Sequence, residues 1–497
     1  MTETDTPYFL PPFMKRRART RIVCTVGPAT GTLARIKRLI RSGMSVGRLN
    51  LSHGTPAEHH SYVRMLREAA EEMGVAIGIL ADLPGPKYRV GAMEQDEINL
   101  ISGQPFVLQV EPCEGNSERA NVWPPGLHKD IKKGSQVLID EGMVELRAES
   151  IEGTNIHCRV TLGGVMKPNK AVTAPGNTST LDYFTSETVN ALNFVCSSDI
   201  DFVGLSYVRN AGDMQRVRAH LLKAGKTPQL VAKIEIRQAV DNLVEILDES
   251  DAVMVARGDL GVELPFERVP SVQKRIIRMA NEVGKPVITA TQMLESMIEQ
   301  PSPTRAEATD VYNAVRDGTD AIMLSGETSI GKFPFRAVNA MTRIAKRAES
   351  YLEYPMLAER HRASAKKGGL GVDDAIADGA VVAASSLHAK AIVAFTESGS
   401  TAGRVAAYRP IMPLFALTPD LTGGAKLALR WGVIPVVVKK FTQLQDMFHA
   451  GSQLVLETSI AREGDVIVVV VGLPIGVAGT TNLLRVITLP EPLVDQV

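Results

Sequence analysis

Two short runs carry most of the chemical signal of the sequence: Lys233-Ile234-Glu235 and Arg257-Gly258-Asp259. The carboxylates Glu235 and Asp259 are hard oxygen ligands, suited to Mg2+ or Mn2+ with the remaining positions left to water and substrate. In extended chain, residues two apart share a side, so Lys233 stands with Glu235 and places a cation beside that metal. Fixed positive charge in a water-poor site favours an anionic phosphate or a developing enolate. More polar residues close other short apolar runs: Arg48, Asn50 and Ser52, on one side by the same period, then Asp82, Ser206, Thr291 and Ser325. Any one of these is ordinarily a solvated or ion-paired structural group, so the inference rests on their recurrence. Arg48 and Arg89 are the candidate phosphate clamps, and the turn Ala256-Arg257-Gly258-Asp259 offers backbone N–H groups to a carboxylate or phosphate. Neither a Gly-x-x-x-x-Gly-Lys-Ser/Thr run nor a His-Glu-x-x-His pair occurs, which argues against a P-loop nucleotidase and a zinc protease.

The elements that position these residues follow from the rest of the chain. Its 497 residues suffice for about three domains. Lys plus Arg and Asp plus Glu are 55 each, so no whole-chain field draws nucleic acid or anionic membrane, and neither is an expected partner. A 44% hydrophobic, 22% charged composition is that of an ordinary globular protein. Cys24, Cys113, Cys158 and Cys196 lie far apart and read as reduced thiols. With no signal-like or membrane-length apolar run, a cytoplasmic location is expected.

Strand-length apolar runs at 21–27, 45–51, 76–82, 202–206, 229–234, 252–257, 286–291 and 321–326 alternate with amphipathic segments, predicting a (βα)8 barrel over 20–86 and 182–352. The chemistry-bearing residues then stand at strand C-termini, on one rim. Between them, 87–181 loses helical period and takes up short alternating runs such as 136–139 and 155–160, predicting an inserted β-barrel-like lid domain on the catalytic face. A polar stretch, 359–371, reads as a linker. Within 353–497, strands at 391–396, 412–417, 434–438 and 466–471 and helices at 373–389, 401–408 and 424–431 predict a three-layer α/β domain. Residues 1–19 form an N-terminal extension.

The rim sequences resemble those of the pyruvate kinase family. The resemblance is carried by Ile22-Val-Cys-Thr-Val-Gly-Pro28, Arg48-Leu-Asn-Leu-Ser-His-Gly54, Ala256-Arg-Gly-Asp-Leu-Gly-Val262, Thr289-Ala-Thr-Gln-Met-Leu-Glu-Ser-Met297, Pro303-Thr-Arg-Ala-Glu307, Met323-Leu-Ser-Gly-Glu-Thr328 and Gly476-Val-Ala-Gly-Thr-Thr-Asn482, in family order. It implies phosphate transfer from phosphoenolpyruvate to ADP, yielding pyruvate and ATP, with one divalent ion (Mg2+ or Mn2+) on the protein and another carried by ADP. By resemblance Glu235 and Asp259 hold the metal, Lys233 stabilises the transferring phosphoryl group and the enolate, and Arg48 contacts phosphate. The backbone around Ala256, Arg257, Gly258 and Asp259, with the Thr291 hydroxyl, receives the substrate carboxylate, and Thr291 with a water chain is the proton donor to test. Arg89, Lys170, Asn50 and His53 are the nucleotide-side residues, and a homotetramer is implied.

Two departures carry function. Many family members hold K+ near the equivalents of Asn50, Ser52 and Asp82 and have Asp-Thr-Lys-Gly-Pro-Glu where this chain has Asp82-Leu-Pro-Gly-Pro-Lys87. Lys87 puts a tethered ammonium where a carboxylate otherwise accompanies the ion, and with Leu83 and Val90 it resembles the K+-independent bacterial-type branch. In the C-terminal domain, Thr396, Ser398, Gly399, Ser400 and Thr401 form a loop entering a helix, resembling the family's allosteric loop. Glu397 disfavours a bisphosphate, leaving a sugar monophosphate or AMP as the expected effector; helix capping alone would also explain the hydroxyls. Without the resemblance, the rim residues fit pyruvate enolate chemistry generally, including a Schiff-base aldolase, and also a regulatory paralogue lacking turnover.

Overall fold

The computed structural model describes residues 10–14, 17–369, 371–477 and 479–490, so the expected extension 1–19 lies largely outside the described residues. Eight parallel strands close a barrel in chain order: Arg21–Thr25, Val46–Asn50, Gly78–Leu83, Phe202–Leu205, Gln229–Ile234, Ala252–Ala256, Val287–Ala290 and Ala321–Leu324. All eight fall on the expected segments. Only Asn50 and Gln229 among their residues escape full burial. Strands covered on both faces have no solvent side to mark with polar residues, which is why they read as continuous apolar runs. Helices between them start on strong local signals. Thr55 and Thr304 each form a capping box, with Glu58 and Glu307, at the heads of Pro56–Met73 and Arg305–Asp317. The run Pro303-Thr-Arg-Ala-Glu307 is thus also a helix start.

The insert is a second closed barrel of seven strands, in the order Asn155–Leu162, Pro105–Gln109, Arg119–Trp123, Tyr88–Val90, Ala171–Thr173, Gln136–Ile139 and Val144–Glu152. Its pairings are antiparallel apart from the parallel pair Pro105–Gln109 and Arg119–Trp123. Phe106, Leu108, Val137, Ile139, Leu146 and Val160 fill its separate core.

The C-terminal sheet has the order Val433–Val437, Leu414–Thr418, Ala391–Phe395, Val466–Gly472, Thr481–Thr488. Helices Val372–Ser386 and Ser400–Ala407 cover one face and Leu444–Glu457 the other. The last strand is antiparallel to its neighbour and was not expected; its alternation is weak, because only Thr481 and Ile487 are buried and half-buried residues run consecutively between them. The helix expected at 424–431 is corrected to Leu421–Ala425. Asp420 caps Gly423 N–H at 2.7 Å, starting the helix early, and the chain then turns so that Ala428 and Leu429 pack against the interior cluster of the large barrel. The linker expected at 359–371 is also corrected, because helix Tyr354–Gly368 runs through most of it. Two of its polar side chains are engaged: His361 meets Tyr408 edge to face, and Arg362 grips Asp378 at 2.7–3.0 Å. No helix among the described residues is long and apolar enough to cross a membrane.

Candidate active site

The rim charges converge. Lys233 is buried, and its Nζ lies 3.0 Å from Asp82 Oδ1, 2.8 Å from Glu235 Oε1 and 2.7 Å from Ser206 Oγ. Arg48, buried on the second strand, donates Nε–H to Asp82 Oδ2 at 2.8 Å and Nη1–H to Thr25 Oγ1 at 2.9 Å. The strand register brings these groups together: Asn50 pairs with Asp82, Gly204 with Asp82, and Lys233 with Met254 on the strand that leads to Asp259.

Burial opposes the Lys233 ammonium, yet Asp82 and Glu235 outweigh it and raise its pKa, so the amine stays protonated. Burial likewise works against the Asp82 carboxylate, but Lys233 and Arg48 hold its pKa below the usual range. Glu235 goes the other way: burial, with Asp259 adding like charge, pushes its pKa up against the pull of Lys233. A buried carboxylate left short of positive charge is the condition a divalent ion relieves. Asp259 presents the complementary vacancy in bonding: Oδ1 accepts from the Tyr207 hydroxyl at 2.9 Å, whereas Oδ2 takes no hydrogen bond from the described residues. No cluster of three or more His, Cys, Asp or Glu that would enclose a metal exists among the described residues. Two carboxylates at a half-open rim therefore fit a hard cation that keeps water or substrate oxygens.

Arg257 and Thr291 are placed differently from each other. The Arg257 guanidinium donates to the carbonyls of Ala290, Thr291 and Gln292 at 2.6–3.2 Å and pairs with Asp310 at 2.5 Å. It thereby clamps a turn in which Thr291 and Gln292 have φ of 62° and 53°, a region that a β-branched residue adopts only when held. Within that turn Thr291 Oγ1 accepts the Gly258 N–H at 2.8 Å. Ala256, Gly258 and Asp259 stand where the sixth strand passes into the short helix Arg257–Glu263.

Asn50 Oδ1 accepts Ser52 N–H at 3.3 Å, and the exposed His53 offers its carbonyl to the His59 ring at 2.7 Å. Arg89, on the insert, donates to Asn169 O at 3.1 Å, and Lys170 pairs with Asp140 at 3.0 Å. Lys87 reaches the rim from the insert's entry: Nζ lies 3.4 Å from Asp259 Oδ1 and 4.9 Å from the centre of the Tyr207 ring. A cleft of about 70 Å3 between insert and rim is lined by Lys87, Tyr207, Arg209, Gln238 and Glu263 among others. Thr25 and Tyr207 escaped sequence reasoning. Each follows or ends a strand already identified, but neither carries a charge to mark it.

In the C-terminal domain, Thr396, Ser398 and Thr401 line a cavity of about 440 Å3, together with Glu397, Lys439 and Lys440. Two of the hydroxyls are already committed: Thr396 Oγ1 accepts Gly399 N–H of the same loop at 2.9 Å, and Thr401 Oγ1 meets Thr481 Oγ1 of the last strand at 2.8 Å. Gly399, at φ 89°, precedes helix Ser400–Ala407. Lys439 and Lys440 are exposed at its mouth and carried no signal in the sequence reading.

Comparison with known proteins agrees with this architecture. Residues 17–338 match the model for the pyruvate kinase barrel domain, and residues 374–487 that for the pyruvate kinase alpha/beta domain. The chain is 40% identical over 470 residues to the pyruvate kinase of Clostridium acetobutylicum, covering 94% of this chain and 99% of that one. It is 43% identical over 468 residues to that of Corynebacterium glutamicum, covering 94% and 97%. A crystal structure of a pyruvate kinase from Cryptosporidium parvum superposes with a TM-score of 0.91 at 35% identity, covering 99% of each chain. A closed eight-stranded barrel with a charged rim, an inserted second barrel and a C-terminal α/β sheet, matched along nearly the whole chain, establish that this protein belongs to the pyruvate kinase family.

Proposed function

We propose that this chain transfers the phosphoryl group of phosphoenolpyruvate to ADP, giving pyruvate and ATP. The observation that carries the reading is Lys233, an ammonium kept charged inside the rim between Asp82 and Glu235. Phosphoryl transfer needs positioning and charge neutralisation more than a covalent protein partner. Lys233 supplies fixed positive charge to the moving phosphoryl group and to the enolate that remains; Arg48, locked to Asp82 and Thr25, keeps a guanidinium aimed at phosphate. The backbone around Gly258 and Asp259 and the clamped Thr291 hydroxyl orient the carboxylate once the Gly258 N–H and the Thr291 hydroxyl exchange their present acceptors, Thr291 Oγ1 at 2.8 Å and Ala290 O at 2.7 Å, for the substrate, and Thr291 passes a proton to the enolate through water. Glu235 and Asp259 hold the divalent ion, Mg2+ or Mn2+, which supplies Lewis-acid polarisation of phosphate oxygens; a second accompanies ADP. Arg89, Lys170, Asn50 and His53 serve the nucleotide. Protonated Lys233 is a poor nucleophile, which weighs against a Schiff-base aldolase.

The domain division at 87–181 and 353–497 belongs to this reading, with the insert as a lid whose closure excludes water. Turnover proceeds without K+: Lys87 brings a tethered ammonium to the rim, while Asp82, in the vestigial pocket with Asn50 and Ser52, is already engaged by Arg48 and Lys233. The C-terminal cavity takes a sugar monophosphate or AMP on Thr396, Ser398, Gly399, Ser400 and Thr401, in a cytoplasmic homotetramer. Pyruvate release from phosphoenolpyruvate, ADP and Mg2+ in buffer free of K+ and NH4+, with and without added K+, tests the core. Equal turnover supports both claims, K+-dependent turnover removes the role of Lys87, and no turnover removes the reaction. Calorimetric titration with each effector class checks the cavity, and absence of heat for all of them discards it.

A further inference from the structure

Tyr207 makes three contacts that the reaction outlined above leaves unused. It is the second residue after the fourth barrel strand, in the left-handed region at φ 55°. Its backbone N–H donates to Glu235 Oε2 at 2.7 Å, its hydroxyl donates to Asp259 Oδ1 at 2.9 Å, and its ring carries Lys87 Nζ 4.9 Å above its centre. One residue therefore touches both candidate metal carboxylates and the lysine beside them. Its preceding neighbour, Ser206, accepts from Lys233, so the loop is tied to the rim on that side as well. The ring has a built seat. A Cβ at Gly85 would stand 2.9 Å from Tyr207 Cδ2 and 2.6 Å from Ser206 O, so only a residue without a side chain leaves the aromatic in place.

We propose that Tyr207 is a positioning residue that sets the divalent-cation preference of the site by holding Asp259 to a single available oxygen. This rests on the reading of Glu235 and Asp259 as the metal pair. The phenol and Lys87 both occupy Oδ1, leaving Oδ2 as the oxygen without a hydrogen bond from the described residues. A carboxylate pinned in this way ligates through one oxygen. Mg2+ and Mn2+ accept that in a compact octahedral shell, whereas Ca2+ gains from six to eight oxygens and from two-oxygen carboxylate binding. The backbone N–H on Glu235 does not depend on the side chain, so a Tyr207→Phe change removes only the hydroxyl and keeps the ring under Lys87. Partners behind a metal ligand commonly alter metal affinity by about 10- to 100-fold when removed.

The test is direct Mn2+ binding to the full-length protein without phosphoenolpyruvate or ADP, read as free Mn2+ by electron paramagnetic resonance, followed by displacement with Ca2+. In Tyr207→Phe, Mn2+ binding weakens about tenfold, and Ca2+ displaces Mn2+ at about tenfold lower relative concentration. A role confined to folding would lower the thermal midpoint without changing the Ca2+ to Mn2+ ratio; that ratio remaining within twofold of the parent overturns the proposal. Asp259→Asn is run alongside. If it loses Mn2+ binding while Tyr207→Phe is unchanged, only the role of Tyr207 falls. If Asp259→Asn also binds as the parent does, the metal assignment falls with it.

Discussion

Cations gather at two places in this molecule, the barrel rim and the mouth of the C-terminal cavity, and they are held in opposite ways. Lys233 and Arg48 are buried and bonded to carboxylates before any ligand arrives. Lys439 and Lys440 are exposed on the cavity wall, and two of the hydroxyls that share it are spent on Gly399 and Thr481. Buried, pre-paired charge costs little to reorganise during a reaction and acts through a low local dielectric, which suits chemistry. Exposed charge is screened by salt and suits recognition of an anion that comes and goes. The rim is therefore sensitive to the loss of a single atom, while the cavity tolerates change at the cost of affinity alone.

The sharpest way to break this contrast is Lys233→Met. Turnover is expected to fall by about 10³-fold. Removing the ammonium also leaves Glu235 without its cation and Asp82 with Arg48 alone, so a destabilisation of roughly 3–5 kcal/mol in chemical denaturation accompanies it. Retained turnover would show that the buried ammonium is structural. Next comes Arg257→Met, which empties the clamp on Ala290, Thr291 and Gln292. A drop in kcat of about 10- to 100-fold is expected from a misplaced Thr291, with the KM for ADP nearly constant; a change confined to that KM would contradict the positioning role. At the other site, the double change Lys439→Glu and Lys440→Glu is expected to weaken binding of the proposed sugar monophosphate or AMP about tenfold and to flatten its salt dependence, measured by calorimetry at two ionic strengths.

The smallest effect concerns pH. Burial, against the opposing backbone N–H groups of Gly176 and Arg237, pushes the Glu263 carboxyl up to about 7. A carboxyl raised on folding contributes stability that is complete below its unfolded pKa of about 4.3 and is lost as pH rises through about 7. Glu263→Gln is therefore expected to raise the thermal midpoint relative to the parent at pH 8 but not at pH 4.5, by roughly 1–3 kcal/mol equivalent. An equal shift at both pH values would assign the effect to packing instead.

The large barrel was legible because each of its strands is buried on both sides and bounded by helix signals, so 202–206 or 229–234 could be placed from apolar runs alone. The insert was legible as a loss of helical period. The C-terminal part was less so. Thr481–Thr488 is an edge strand with little alternation, and Tyr354–Gly368 is a helix in which Arg362 is held by Asp378 and His361 by Tyr408, information that local composition does not contain.

At the rim, the sequence by itself determined the inventory: an ammonium two residues from one carboxylate, a second carboxylate after the following strand, and an arginine at the end of the second. It determined the periodicities that put them on a common barrel end. The tertiary structure alone decided who is bonded to whom. That the Arg257 guanidinium holds a strained turn, that Lys87 lies against Asp259 and Tyr207, and that a phenol occupies one oxygen of Asp259 are consequences of contacts between separate loops. Such contacts depend on side-chain direction and on the close approach of backbones, as at Gly85, and neither is encoded in spacing along one segment.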